Sequence, residues 1–194
     1  MAPIYVTKAY CIGRALSAEY PSPICKFVSF TATGVDYRVT LDDFDRKILG
    51  ILQKNNLTPQ RTIGEAVNLS APAVQRRIRK MTEAGIITAN VAVVDPAALG
   101  QPITIFVEVE VISETSEQIE SAKRAFAATP EIQQCFYVTG EADFVLVVIV
   151  PSMVDYEGLT RRLFFGNNNV KRFRTFVAMD RIKVGLEVSL PQSV

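Results

Sequence analysis

The hydrophobic positions between Leu41 and Gly85 recur every three or four residues, which is the spacing of amphipathic α-helices. The segment contains three such stretches. In the first, the apolar stripe consists of Leu41, Phe44, Ile48 and Leu52. The second stretch begins at Thr58 and ends at Asn68, a residue type that tolerates positive φ. The third begins at Ser70, a good N-cap, and ends at Gly85. Three helices joined by a tight turn predict a helix-turn-helix unit.

After Gln101 the pattern changes to strands that alternate with helices. The predicted elements are a strand from Ile103 to Val111, a helix over Ser116–Thr129 capped by Ser116, strands over Ile132–Thr139 and Phe144–Val150, a helix capped by Ser152, and a strand over Val170–Val184. The order β-α-β-β-α-β predicts an α+β, ferredoxin-like sheet with two helices on one side.

The other face of that sheet would carry apolar residues such as Phe106 and Val147, so we expect self-association to bury it. A sheet of this topology can also bind RNA. The strands that begin at Ile103 and Phe144 lack the aromatic, basic and glycine pattern that stacks bases, so RNA binding is disfavoured.

These patterns divide the chain into four parts. Residues 1–38 are broken by prolines, show no sustained period and favour a poorly ordered extension over a functional arm. An upstream start codon included by error is a further interpretation of this segment. Secretion is disfavoured there, and an organelle presequence is only weakly suggested. We expect a helix-turn-helix domain over residues 39–90, a linker strand and hinge over 91–101, and the ferredoxin-like domain over 102–190.

Positive charge is concentrated in the third predicted helix, where four of the five residues from Arg76 to Lys80 are basic. Residues 41–90 hold eight bases and five acids, whereas residues 101–194 hold nine bases and twelve acids. At about 100° per residue, Arg76 and Arg79 point away from the apolar stripe. The helix therefore suits a polyanion such as double-stranded DNA, and a solvated basic face is the alternative.

The composition excludes several classes of chemistry. The chain contains no histidine, and its three cysteines form no CxxC pair, which removes histidine-dependent catalysis and histidine-ligated metal sites. Catalysis by carboxylates or lysine alone stays open, but no residue pattern points to it. It also lacks the glycine-rich loops of nucleotide-binding proteins. We expect no enzyme activity, no cofactor and no metal. No apolar run reaches about 18 residues, so we expect a protein without membrane spans that works in the cytoplasm.

Four segments together resemble the leucine-responsive and asparagine-responsive (Lrp/AsnC) family of transcription regulators. These segments are Leu41–Leu49, Asn68–Arg79, Glu83–Ile87 and Val138–Phe144. The resemblance covers roughly residues 39–190. It implies an N-terminal winged helix-turn-helix, a C-terminal module for amino-acid sensing and oligomerisation, and homodimers that assemble into octamers.

The resemblance also assigns DNA-binding roles along the third helix, which we call the recognition helix. It implies that Ser70, Ala73, Gln75, Arg76 and Arg79 lie nearest the major groove, with Arg77 and Lys80 on phosphates. The apolar stripe agrees for Arg76 and Arg79. The same stripe puts Gln75 on the flank and Arg77 near the edge of the core.

The turn over residues 139–143, here the effector loop, corresponds to the family's amino-acid site. The implied residues are Thr139, Gly140, Glu141, Ala142 and Asp143, with Thr175 as a further partner. Exposed backbone amides would receive a carboxylate and Asp143 an ammonium group. The residues alone favour a plain hairpin turn, and Glu141 stands where the family often has aspartate.

The sequence therefore predicts a homo-oligomeric transcription regulator that binds specific DNA and responds to an amino acid. Two alternatives stay open: a DNA-compacting protein of the same fold that ignores amino acids, and a small-molecule binding module whose helical unit has no DNA role.

Overall fold

The computed structural model describes residues 40–166 and 169–190, and the predicted extension over residues 1–38 lies outside them. The described residues form two compact units. The N-terminal unit comprises residues 40–90 together with residues 188–190, and the C-terminal unit comprises Val91–Glu187. We predicted a C-terminal domain that runs to residue 190. The structure groups residues 188–190 with the N-terminal unit, because Leu190 packs against the helical core there.

Three helices form the N-terminal unit: α1 (Asp43–Lys54), α2 (Gln60–Val67) and α3 (Ala71–Glu83). Their shared core consists of Ile48, Leu49, Ile63, Val67, Val74 and Met81. Asn68 adopts the left-handed conformation at φ 57°, so the chain turns sharply from α2 toward α3. A Cβ on Gly64 would lie 2.4 Å from the Leu69 carbonyl oxygen, and glycine therefore permits the close approach after the turn.

The linker strand that we predicted from about Asn90 does not form. Residues 88–95 contain no helix or strand, and a turn follows at residues 96–100. Strands are held by hydrogen bonds to a neighbouring strand, and none of the strands in the described part of the chain pairs with this segment.

The C-terminal unit has the predicted order of elements: β1 (Ile103–Val111), α4 (Ser116–Ala127), β2 (Ile132–Tyr137), β3 (Phe144–Val150), α5 (Met153–Thr160) and β4 (Val170–Val177). A π-helical turn over Arg161–Phe165 extends α5. The sheet order is β2-β3-β1-β4 and all neighbouring strands are antiparallel. The ferredoxin-like prediction is confirmed.

Three predicted boundaries in this unit are wrong. The last strand ends at Val177 instead of Val184, and β2 ends at Tyr137 instead of Thr139, because the ladders with β1 and β3 stop there. The N-cap of α4 is Thr115, and Ser116 is already helical. The predicted cap at Ser152 is confirmed, since its side chain accepts a hydrogen bond from the Asp155 amide.

The helices α4 and α5 cover one face of the sheet, where Ile119, Phe126 and Leu159 pack on the strands. The opposite face carries Phe106 and Phe176, which pair across β1 and β4 and are about half exposed. Val147, which we expected to be bare on this face, is 9% exposed. No helix in the described residues is long and apolar enough to cross a membrane.

Candidate functional site

One face of α3 is polar and open to solvent. Val74 and Met81 are buried in the core of the N-terminal unit, so residues on the other side of the helix face outward. Of the residues predicted to bind DNA, Ser70, Gln75, Arg76, Arg79 and Lys80 are exposed, and Ala73 is half-buried. The structure brings these six together along one helix. Ser70 occupies the N-cap, although its side chain makes no capping hydrogen bond.

The basic groups on this face remain available to a ligand. Arg79 forms an ion pair with Glu83 at 3.8 Å, but its side chain is 73% exposed. Within residues 40–166 and 169–190, Arg76 and Lys80 form no ion pair. A surface pair of this kind is worth about 1 kcal/mol or less, so a phosphate could displace it.

Arg77 has a different environment from the other three bases. Its guanidinium donates to a carboxylate oxygen of Asp42 and to one of Asp45, each at 2.7 Å, and lies 5.5 Å from the centre of the Phe44 ring. The two aspartates form the capping box of α1. The Asp45 amide, and next the Arg77 guanidinium, hold the pKa of Asp42 below its usual value. Arg77 therefore fastens α3 to the start of α1, and the structure does not bring it to the open face where we expected a phosphate contact.

Sequence reasoning did not single out Arg61, which lies in the first turn of α2. Its side chain is 87% exposed and pairs with Glu65 at 3.0 Å. The first helix of a helix-turn-helix crosses the DNA backbone, so a base at its N-terminus can meet a phosphate. The sequence did contain a signal for this residue. The first turn of α2 has no acidic residue and carries Arg61, although the helix dipole disfavours a base there, which indicates a role outside the helix itself.

The effector loop connects β2 to β3. Thr139, Gly140 and Glu141 are exposed, and Ala142 and Asp143 are half-buried. Gly140 has φ 138°, a conformation that side chains rarely adopt.

Asp143 is tied to the sheet. Its amide donates to the Val109 carbonyl at 2.9 Å, and one carboxylate oxygen accepts the Val111 amide at 2.7 Å. The register between β1 and β4 shifts at Val111, so this carboxylate satisfies a donor at an irregularity in the ladder. One of the two oxygens that we assigned to an ammonium group is therefore already used.

Charged side chains surround the loop on the face of the sheet without helices. Arg174 lies 3.6 Å from both Glu108 and Glu141, and Arg172 pairs with Glu110 at 2.5 Å. Lys171, and next Arg172, hold the pKa of Glu110 below its usual value. Together with Ala142, the side chains of Glu108, Glu110, Glu141, Arg172 and Arg174 line a shallow depression. Both signs of charge stand close together there, as a zwitterionic ligand requires.

Thr175 does not join this cluster. It pairs with the buried Val107 of β1, and its hydroxyl lies 2.6 Å from the hydroxyl of Tyr156 on α5. Successive residues of a strand point to opposite faces, so Thr175 lies on the helix side and Arg174 on the other. Our grouping of Thr175 with the loop is not supported by this placement.

Comparisons with known proteins match both units. Residues 41–88 match the winged helix-turn-helix DNA-binding model, and residues 104–188 match the Lrp/AsnC ligand binding domain. An uncharacterised HTH-type transcriptional regulator of Sinorhizobium fredii is 38% identical over 80% of this chain and 92% of its own length. The leucine-responsive regulatory protein of Rhizobium meliloti is 28% identical over 79% of this chain and 98% of its own.

Solved structures give the same result. An AsnC family transcriptional regulator from Agrobacterium tumefaciens is 30% identical with a TM-score of 0.73, covering 77% of this chain and 97% of that one. A Neisseria meningitidis transcriptional regulator, solved in complex with L-Met, is 25% identical with the same TM-score and coverage. This chain therefore belongs to the Lrp/AsnC family of transcriptional regulators, with a helix-turn-helix DNA-binding domain and a ligand-binding domain.

Proposed function

We propose that this protein binds specific DNA sequences through α3 and regulates transcription. The observation that carries the proposal is the open basic face of Arg76, Arg79 and Lys80, on the side of α3 opposite the buried Val74 and Met81. Arginine can bridge guanine in the major groove, whereas lysine mainly neutralises phosphate. Ser70 and Ala73 extend this surface toward the N-terminus of α3, Gln75 lies on its flank, and Arg61 adds a phosphate contact from α2.

We further propose that an amino acid alters DNA binding or assembly. The exposed effector loop and the adjoining Arg174, Glu108 and Glu141 supply opposite charges within a few ångströms. A relative of this chain has been solved with L-Met. Thr139, Gly140 and Ala142 offer backbone groups, and the second carboxylate oxygen of Asp143 would receive the ammonium group. A ligand changes the state of the protein only if it binds the two states with different affinity.

The working form that we propose is a homodimer, which assembles further into an octamer. Phe106, Phe136 and Phe176 are 43–51% exposed on the face of the sheet without helices. Apolar groups in that position favour association with a second copy. A dimer would place two recognition helices on two half-sites of DNA. The role needs no catalysis and no cofactor, and its place is the cytoplasm.

Fluorescence anisotropy tests the proposal. The purified chain is titrated onto its own upstream DNA and onto a scrambled duplex, at two salt concentrations, with and without a pool of amino acids. We expect tighter binding to the upstream DNA and a shift in affinity with the pool. Equal, steeply salt-dependent binding to both duplexes would instead indicate DNA compaction. An absence of binding to either would favour a sensor without a DNA role.

A further inference from the structure

We propose that residues 188–190 form a releasable latch that docks on α1 and restrains the DNA-binding unit. This C-terminal latch consists of Val188, Ser189 and Leu190. Its docking is independent of the proposed function, whereas its effect on DNA binding rests on that function.

The side chain of Gln53 holds the latch by its backbone. Its amide nitrogen donates to the Val188 carbonyl at 3.1 Å, and its amide oxygen accepts from the Val188 N–H at 2.7 Å. One side chain thus satisfies both backbone groups of a residue that lies 135 positions away. Of the residue types of similar shape, only an amide both donates and accepts in this way, because a glutamate can only accept when ionised.

Leu190 provides a second point of contact. Its side chain is partly buried against the core of the N-terminal unit, and its Cδ1 atom would lie 3.9 Å from a Cβ placed on Gly50. Gly50 lies three residues before Gln53, so the two occupy neighbouring positions on one side of α1. A Cβ at Gly50 would make only an ordinary van der Waals contact with Leu190, so Leu190 lies directly against this part of α1.

The docked latch is held weakly enough to open. Val188 is 67% exposed, and both hydrogen bonds to Gln53 are open to solvent. Residues 178–190 contain no helix or strand, so no regular structure supports them. Segments with few buried contacts and exposed backbone hydrogen bonds open at low free energy.

Docking of the latch affects the DNA-binding unit because both ends of the C-terminal unit connect to it. The chain leaves the N-terminal unit after Asn90 and returns to it at Val188. When the latch is docked, a non-covalent contact therefore closes the chain into a loop that begins and ends at the N-terminal unit, and release of the latch opens that loop. Each closed loop removes conformational freedom, so docking narrows the range of orientations open to α3. Binding to two half-sites depends on the spacing of two recognition helices, and preorganisation of that spacing raises affinity.

Hydrogen exchange measured on the full chain tests the docking. The variants are Gln53→Glu, Leu190→Ser and the double variant, and the control is Gln118→Glu, which makes the same change at an exposed helical glutamine of α4. We expect each single variant to speed exchange of the Val188 amide by about threefold or more. Gln53→Glu replaces the donor to the Val188 carbonyl with a carboxylate oxygen that repels it, and Leu190→Ser weakens the apolar docking. The double variant should exchange at least as fast as either single variant, up to the rate of an unprotected amide, since both changes weaken the same docked state. Exchange of the Val188 amide that is unchanged in both single variants, or that changes equally in Gln118→Glu, would overturn the docking.

The DNA consequence has a separate readout. Footprinting first defines the protected upstream segment, and affinity is then measured on that segment and on a duplex that carries half of it. We expect Gln53→Glu to weaken binding to the whole segment several-fold and to leave binding to the half segment unchanged, with no effect of Gln118→Glu on either. Equal affinity of Gln53→Glu and the parent chain for the whole segment would overturn the restraint. Failure of the parent chain to bind any DNA would overturn the proposed function, and the exchange result would still decide the docking.

Discussion

The open face of α3 directs Arg76 and Arg79 into solvent, whereas the effector loop turns the Asp143 carboxylate back onto the Val111 amide of its own sheet. In α3 the buried Val74 and Met81 fix which side of the helix is free. In the loop, contacts from distant strands decide which polar groups are free. On a helix, the spacing of the buried residues determines which side chains can reach a ligand. In a loop, hydrogen bonds from neighbouring strands determine which polar groups can do so.

The largest effect that we expect concerns the support of α3. Gly64→Ala places a Cβ 2.4 Å from the Leu69 carbonyl, so the backbone at the turn must move. We expect the N-terminal unit to lose about 2–3 kcal/mol of unfolding free energy, as measured by denaturant titration. Gly158→Ala in α5 is the matched control. Among the residues that the structure describes, no atom outside the helix lies within 4 Å of its added Cβ, and stability should hold or rise by about 1 kcal/mol. Equal stability of the two variants would show that the turn does not position α3.

The second largest effect that we expect distinguishes the role of Arg77 from that of the bases on the open face of α3. Arg77→Met removes both ion pairs and leaves Asp45, which is 5% exposed, without its charged partner. We expect a loss of about 1–3 kcal/mol in unfolding free energy. The change in DNA affinity should be smaller than for loss of Arg76 and Arg79. A variant of parental stability that no longer binds DNA would place Arg77 on the DNA after all.

The pairing of Arg77 also predicts a pH dependence. The Asp45 amide, and next the Arg77 guanidinium, hold the folded pKa of Asp42 below its ordinary value. Its contribution to stability is therefore present above the unfolded pKa of about 3.8 and is lost as pH falls through the folded pKa, and Arg77→Met removes only the part that Arg77 supplies. Between neutral pH and the acid range, the parent chain should lose more stability than Arg77→Met does. Parallel pH profiles for the two proteins would contradict this coupling.

Two substitutions of Asp143 distinguish its structural role in the loop from a role in ligand binding. Asp143→Ala removes the acceptor of the Val111 amide and should cost about 1 kcal/mol in unfolding free energy. Asp143→Asn keeps a side-chain oxygen for that amide and should retain most of the stability, yet it loses the charge that an ammonium group needs. Calorimetric titration with amino acids should therefore show weakened binding in Asp143→Asn. Parental affinity in that variant would assign Asp143 to structure alone.

The smallest effect concerns Glu141. Its ion pair with Arg174 spans 3.6 Å and its side chain is 83% exposed. Solvent screens such a pair, so Glu141→Gln should change unfolding free energy by about 0.5 kcal/mol or less. Amino-acid binding is the informative readout. A change in ligand preference at unchanged stability would show that Glu141 contributes to specificity.

Features encoded by local period and order could be predicted from the sequence. The spacing of Val74 and Met81 placed Arg76 and Arg79 outward, and the order of elements after Gln101 predicted the ferredoxin-like sheet. Features that depend on contacts between distant residues could not. Arg77 meets Asp42 across 35 positions, Asp143 meets Val111 across 32, and Gln53 meets Val188 across 135. The end of β4 depends on its ladder with β1, which no local pattern in residues 178–184 reveals.

The measurement that tests the central claim most directly compares three proteins on the protected upstream segment and a scrambled duplex. These are the parent chain, Arg76→Ala with Arg79→Ala, and Arg161→Ala with Arg162→Ala, which removes two exposed bases from the C-terminal unit. If α3 is the recognition helix, the first pair should weaken specific binding by about tenfold to a hundredfold or more and abolish the preference for the upstream segment. The control pair should leave both intact. Unchanged affinity and preference after loss of Arg76 and Arg79 would contradict the assignment.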